Sequence, residues 1–243
     1  NKIALGHIDS GIAGGVDTTS DAPIALNEKM RKILLEASRA KTTTQRLAAF
    51  SAFRPSMLVS PSLPRNGEPR TGLSMGEHAE QMAQEWKVSR EAQDELALKS
   101  HQNLARAYND GFFTDLLTPF NGVSKDNNLR ADLTIEKLRT LKPVFDKKVA
   151  SGQGTLTAGN STPLTDGASA VLLASEEWAK ARNIPVLAYI TFSEVAAIDF
   201  FNEKEGLLMA PAYAVPRMLE RAALKLQDFD FYEIHEAFAA QVL

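Results

Sequence analysis

The chain has 243 residues, 44% of them hydrophobic, with a formal net charge of −3 and no cysteine. That length supports one large or two modest domains. The composition excludes disulfides, thiolate metal sites and a thiol nucleophile within the chain, and the charge gives no sign of a nucleic-acid partner.

No apolar run approaches the roughly 20 residues needed to cross a bilayer, and no signal-peptide pattern is visible. The chain opens on Asn1 beside strand-like sequence and closes on Leu243 inside an apolar segment. It is therefore expected to be an internal fragment of a longer protein.

Residues 3–16 are apolar and Gly-rich, and predict a helix end, a turn and a buried strand closing at Gly14-Gly15-Val16-Asp17. Residues 21–40 predict a helix. Pro23 suits its first turn, and Met30, Ile33, Leu34 and Ala37 recur at helical spacing. A shorter helix is predicted over 44–53. From Lys29 to Arg70 the sequence holds nine basic residues and two acidic ones, Glu36 and Glu68, with Leu47, Phe50, Phe53, Met57 and Leu58 interleaved. A solvated face accounts for this. So would attraction of anionic phosphates, an anionic lipid surface or a partner subunit. Pro55, Pro61, Pro64 and Pro69 predict an irregular loop.

Ser74 and Glu77 have capping-box spacing, and the helix they open is expected to bury Ala79, Met82, Ala83 and Trp86. Ser89 caps the next helix, with Glu91 and Asp94 near its positive end. Leu96, Ser100, Leu104, Ala107 and Tyr108 form its predicted inner stripe, and Gly111 a fitting stop. His78 and His101 read as surface helix residues without a role. Residues 112–128 predict strand and loop. Thr134 caps a short helix over 135–141, ended by Pro143.

The stretch 155–175, Thr-Leu-Thr-Ala-Gly-Asn-Ser-Thr-Pro-Leu-Thr-Asp-Gly-Ala-Ser-Ala-Val-Leu-Leu-Ala-Ser, has two halves of different character. The first is small and turn-forming, suited to close approach of a ligand and equally to an ordinary turn. The second, 168–174, is an unbroken apolar run, which predicts a strand buried on both faces. Ser175 caps a helix carrying Glu176 and Glu177 in its first turn. Residues 186–198 predict another strand. Residues 207–211 lead into a helix with Met218, Leu219 and Ala222 inward, where Pro216 is tolerable only in the first turn. Residues 229–234 alternate and predict a strand that delivers His235 at its C-terminal end, where α/β proteins place ligands. A packed strand-end imidazole fits His235 as well.

Two of these stretches carry a resemblance. Ala158-Gly-Asn-Ser-Thr-Pro-Leu-Thr-Asp-Gly-Ala168 resembles the loop-and-strand signature of the thiolases, which split or join acyl-CoA thioesters. His235-Glu-Ala-Phe-Ala-Ala-Gln241 resembles the Asn/His-Glu-Ala-Phe motif of that family. The motifs come in the family's order, and the likeness extends over essentially the whole chain. The histidine variant of the second motif is most similar to the thiolase subunit of fatty-acid β-oxidation complexes.

The resemblance implies an α/β fold of duplicated α/β/α layers with an inserted, mainly helical loop domain, here incomplete. Residues 1–24 and 155–183 would belong to the N-terminal half, 25–154 to the loop domain, and 184–243 to the start of the C-terminal half. It implies thiolytic cleavage of 3-ketoacyl-CoA, with the catalytic cysteine before Asn1 and this chain inactive by itself. His235 would stabilise an enolate or thioester oxygen; asparagine usually stands there and cannot titrate, so hydrogen bonding suits the position better than proton transfer. Met75 would line the acyl pocket, although core packing beside a cap explains it too. Arg130 would pack on the adenine of CoA and Phe145 would line the pantetheine channel. Thr162, Leu164, Ala237 and Phe238 would touch the acyl-pantetheine arm.

The residues 147–153 depart slightly from the family's spacing. CoA would be a co-substrate, with no cofactor bound permanently. A homodimer, a hydratase/dehydrogenase partner subunit and peripheral membrane contact are the implied associations. The implied location is the cytoplasm of a bacterium or a mitochondrial matrix. The alternative is a non-catalytic CoA- or lipid-binding scaffold, motivated by the basic, apolar stretch.

Overall fold

The computed structural model describes residues 1–59, 66–149, 152–201 and 206–243. Pro61 and Pro64 of the proline-rich stretch, and residues 150–151, lie outside them. In chain order the elements are strand β1 (Ser10–Asp17), helices α1 (Glu28–Arg39), α2 (Thr43–Ala49), α3 (Ser56–Val59), α4 (Met75–Glu85), α5 (Arg90–Asn109) and α6 (Ile135–Arg139), strand β2 (Gly167–Ala174), and helices α7 (Glu176–Ala181), α8 (Pro211–Ala222) and α9 (Ala239–Val242). They fall into two compact units, Asn1–Asn66 with Leu164–Ala188, and Gly67–Pro163 with Tyr189–Leu243.

In the first unit, β1 and β2 form an antiparallel ribbon in register from Ser10 opposite Ala174 to Asp17 opposite Gly167. Ser175 N–H donates to Asp9 C=O at 2.8 Å at one end. At the other end Asp166 gathers the turn after β1. One of its oxygens accepts from the backbone N–H groups of Thr19 and Ser20 at 2.7 and 3.0 Å and from the Thr18 hydroxyl at 3.1 Å; the Ser20 hydroxyl donates to the other. Beside the ribbon in sequence, α1 packs on α2, burying Ile33, Ala37 and Ala49. Asn27 caps α1 by accepting from Lys29 N–H, and Thr42 and Gln45 form a capping box on α2.

The second unit carries the larger core. Its buried cluster is Ala79, Met82 and Ala83 of α4 with Leu156, Phe238 and Ala240. Ser74 and Glu77 close the expected capping box, and Ser89 and Thr134 cap α5 and α6 as their spacing predicts. On α8, Met218, Leu219 and Ala222 are half-buried.

Several expectations are corrected. The strands are present but exposed over most of their length, because among the described residues the sheet has just these two strands, too narrow a ribbon to be enclosed on both faces. Residues 1–7 form turns, not a helix end. Residues 186–198 and 229–234 form no strand, since a ladder needs a neighbour to exchange hydrogen bonds with and the described sheet has only β1 and β2. Residues 112–128 form turns closed by a single bridge between Phe120 and Val123. Helix α1 starts at Glu28, seven residues after the predicted start, with Pro23 outside it. Trp86 is the C-cap of α4 and is 62% exposed. Pro216 lies inside α8, in its second turn. His78 is buried, not on the surface. The predicted stripe of α5 is half-buried, while its fully buried positions are the polar Gln93 and Asp94.

Candidate active site

The two motifs meet in the second unit. Thr162 N–H donates to Ala237 C=O at 2.8 Å and Ala239 N–H to Asn160 C=O at 3.0 Å, so Ser161 and Phe238 stand as an antiparallel bridge. A short two-stranded contact between loops separated by some 75 residues needs a frame, and buried polar side chains supply it. Glu80, on the inner face of α4, is fully buried. Its carboxylate accepts from Thr155 N–H at 3.0 and 2.9 Å, Leu156 N–H at 2.8 Å, the Thr155 hydroxyl at 3.2 Å and Gln84 Nε2 at 2.7 Å. An acid with so many aligned donors is satisfied without a cation.

Asn160 performs the next step. Its Oδ1 accepts from Thr157 N–H at 2.8 Å, and its Nδ2 donates to Thr155 C=O at 3.1 Å and to Asp94 Oδ1 at 2.9 Å. Asp94 is 1% exposed and pairs with Arg90 Nε at 2.7 Å. Arg90 Nη2 also donates to the carbonyls of Leu138 and Leu141, at 2.7 and 3.1 Å, which ties α6 to the same frame. Gly159 lets the loop approach α6 closely: a Cβ would fall 2.5 Å from a methyl of the buried Leu138, which would have to shift.

Of the expected site residues, Thr162, Ala237 and Phe238 are therefore brought together. Phe145 joins them, edge-on to Phe238 with ring centroids 6.1 Å apart. Gly76 packs on the Phe145 ring so closely that a Cβ would lie 2.3 Å from it. Met75, one residue earlier at the start of α4, is 36% exposed. His235 is exposed, and its carbonyl accepts from Ala237 N–H at 2.9 Å in a tight turn. Glu236 is anchored by Ser100 Oγ of α5 at 2.8 Å. Arg130 is exposed on the loop before α6, its Nη1 donating to the carbonyls of Asn127 and Leu129 at 2.9 and 3.2 Å. Leu164 is exposed and opens the segment assigned to the first unit.

Sequence reasoning missed Glu80, Asn160 and Asp94 as the supporting frame. Glu80 sits one residue after Ala79 and three before Ala83, on the apolar face of α4; a carboxylate at such a position is the signal that could have found it. It also missed His78, 4% exposed, whose Nε2 lies 2.8 Å from the Thr71 hydroxyl and whose ring meets Phe200 edge-on at 6.2 Å. Burial holds its pKa below that of an ordinary imidazole, with Glu68 and Glu77 pulling the other way. His101 is lowered as well, by burial first and the Arg130 charge second. Asp166 is held well below the carboxylate range, chiefly by the Ser20 hydroxyl and N–H.

A family profile described as the thiolase N-terminal domain matches residues 1–177, and the thiolase C-terminal domain matches 184–243. The chain belongs to the thiolase family. It is 42% identical, over its whole length, to a 3-ketoacyl-CoA thiolase of Yersinia pestis, of which it covers 55%. Among solved structures it resembles human mitochondrial 3-ketoacyl-CoA thiolase in complex with CoA, with a TM-score of 0.78 at 28% identity over 99% of this chain and 55% of that one. It also resembles the dimeric peroxisomal thiolase of Saccharomyces cerevisiae, with a TM-score of 0.70 at 31% identity over 99% of this chain and 54% of that one. The chain thus spans about half the length of the relatives it matches, and its fold is the thiolase α/β fold over that stretch.

Proposed function

We propose that the protein containing this chain is a 3-ketoacyl-CoA thiolase, an acetyl-CoA acyltransferase that cleaves 3-ketoacyl-CoA with CoA to acetyl-CoA and a shortened acyl-CoA in fatty-acid β-oxidation. The observation that carries this is the direct pairing of Ser161 and Thr162 with Ala237 and Phe238 over the Glu80–Asn160 frame. Those two motifs are the ones that carry the family resemblance.

The reaction needs a nucleophile for the ketone, an acid/base for the thiol and the α-carbon, and donors for two oxyanions. With no cysteine among these 243 residues, the thiol nucleophile comes from elsewhere in the protein, and this chain alone is inactive. His235 serves as an oxyanion donor, directly or through water. Phe145, Thr162, Ala237 and Phe238 lie along the acyl-pantetheine arm, with Met75 and Leu164 as further contacts. Arg130 stacks on adenine: its guanidinium plane is fixed by two carbonyls of its own loop, which leaves a flat cationic face for a nucleobase. CoA is the co-substrate, and the active form is a homodimer.

The test is a thiolysis assay on the full-length protein over a series of 3-ketoacyl-CoA lengths, beside its His235→Ala variant. Turnover should fall about 10²–10³-fold in the variant, the usual cost of one oxyanion donor. CoA binding without turnover at any chain length would favour the non-catalytic scaffold instead.

A further inference from the structure

Helix α5 makes three polar contacts that the proposed chemistry does not use. Ser100 holds Glu236, as above. The next residue, His101, accepts the backbone N–H of Arg130 on Nδ1 at 3.3 Å. Two turns further along, the Tyr108 hydroxyl accepts the backbone N–H of Asp126 at 2.8 Å. Positions seven apart share a helix face, so the two acceptors stand in line. They grip the first and last residues of the loop 126–130.

That loop has little else to fix it. Asp126, Asn127 and Arg130 are exposed and only Asn128 and Leu129 are half-buried, so packing holds it weakly. Its internal bonds, Asn128 N–H to Asp126 Oδ1 at 2.8 Å and the Arg130 guanidinium to Asn127 and Leu129, give it shape but not location. Location comes from α5. The same helix anchors the turn at 235–238 through Ser100, so one rigid rod of 20 residues holds both the Arg130 loop and the second motif.

We propose that His101 and Tyr108 are positioning residues for the nucleotide end of CoA, setting the distance between the Arg130 guanidinium and the His235–Phe238 turn. This rests on the reading of Arg130 as the adenine-stacking residue. An unplaced arginine would still bind adenine in some orientations but would lose the fixed span between adenine and thioester. Preorganisation of that kind shows in affinity for the whole ligand and not for its halves.

The experiment uses the full-length protein and two probes, CoA and 4′-phosphopantetheine, which lacks the 3′-phospho-AMP half of CoA. Binding is measured by calorimetry for the wild type, His101→Ala, His101→Asn, Tyr108→Phe, Arg130→Ala and the double variant His101→Ala/Arg130→Ala. His101→Ala and Tyr108→Phe should each weaken CoA roughly three- to tenfold, the span of one net hydrogen bond, and leave phosphopantetheine unchanged. His101→Asn keeps a side-chain acceptor and should recover most of the loss. In the Arg130→Ala background, His101→Ala should add nothing.

Equal weakening of both probes would mean general packing and would overturn the inference. So would unchanged CoA affinity in His101→Ala and Tyr108→Phe where Arg130→Ala still loses it. An Arg130→Ala protein with unaltered preference for CoA over phosphopantetheine would overturn the adenine reading itself, and the inference with it.

Discussion

Two buried carboxylates support the site by different physics. Among the described residues Glu80 accepts from neutral donors, four of its five hydrogen bonds coming from Thr155 and Leu156 and one from Gln84. Asp94 has a cation, Arg90, and the Asn160 amide. Removing the cation should therefore cost more than neutralising either acid. Arg90→Met leaves the buried Asp94 carboxyl without its ion-pair partner, and should lower unfolding free energy by about 3 kcal/mol, the low end for a broken buried pair because Arg90 keeps some solvent contact. Denaturant unfolding would measure it, and a loss under 1 kcal/mol would mean that the Arg90–Asp94 pair does not hold the frame together. Two histidines, the buried His78 and the half-buried His101, contribute to the acid limb. Both are depressed, so the folded chain resists protons that the unfolded chain accepts. Their contribution is complete above the ordinary imidazole pKa of 6.5 and is lost as pH falls from there through the lowered folded values. The prediction is that His78→Phe flattens the decline in melting temperature on acidification in that window, as seen by calorimetry; an unchanged slope would remove His78 from the account.

At the scale of elements, α4 is the piece on which the site turns. One face meets the motif loops through Ala79, Glu80 and Ala83, and its first turn admits Phe145 only because position 76 is glycine. Gly76→Ala should force Phe145 off Phe238, with a stability loss of about 1–3 kcal/mol from overpacking and weakened CoA binding. Ser74→Ala, which breaks the cap at the same end without touching Phe145, should cost about 1 kcal/mol and leave CoA affinity intact. The contrast separates helix stability from pocket shape, and equal effects on affinity would refute it. Helices were legible in the sequence because their signals are local: Ser74, Ser89, Thr134 and Ser175 each mark a start that the structure confirms. Asn27 was the exception, hidden behind Pro23. Strands were not legible in the same way. The run at 168–174 and the run at 186–198 are alike in composition, yet among the described residues only the first pairs as a strand, and no window of sequence around it contains the strand it pairs with. The candidate site was legible in its motif residues through resemblance alone, and what the structure adds is that Thr162, Ala237, Phe238 and Phe145 lie together. Its frame was hidden because Glu80, Asp94 and Asn160 read as helix-surface or turn residues until folding brings residues 66 to 76 positions apart into contact.

For the whole chain, the consequence of its fold is an apolar surface of unusual kind. Ile12 and Val16 of β1 are 80% and 82% exposed, and Leu187 is 94% exposed. The ribbon also presents outer strand edges, which offer unpaired backbone donors and acceptors to any neighbouring chain. Exposed β-branched side chains on an open strand edge favour association through added strands, because both the backbone ladder and the apolar faces gain partners at once. The chain of 243 residues expressed by itself should therefore associate as concentration rises, with a weight-average mass climbing above the 26.5 kDa monomer in sedimentation equilibrium. Ile12→Lys with Val16→Lys places two charges along β1 and should restore the monomer without disturbing the Glu80–Asn160 frame, which belongs to the other compact unit. In the full-length protein the same pair of lysines should do the opposite and lower stability, if sequence outside this chain, which spans 55% of its relative, covers β1. A chain that stays monomeric at high concentration, or a full-length protein indifferent to both lysines, would show that β1 is a free surface and not a face awaiting cover.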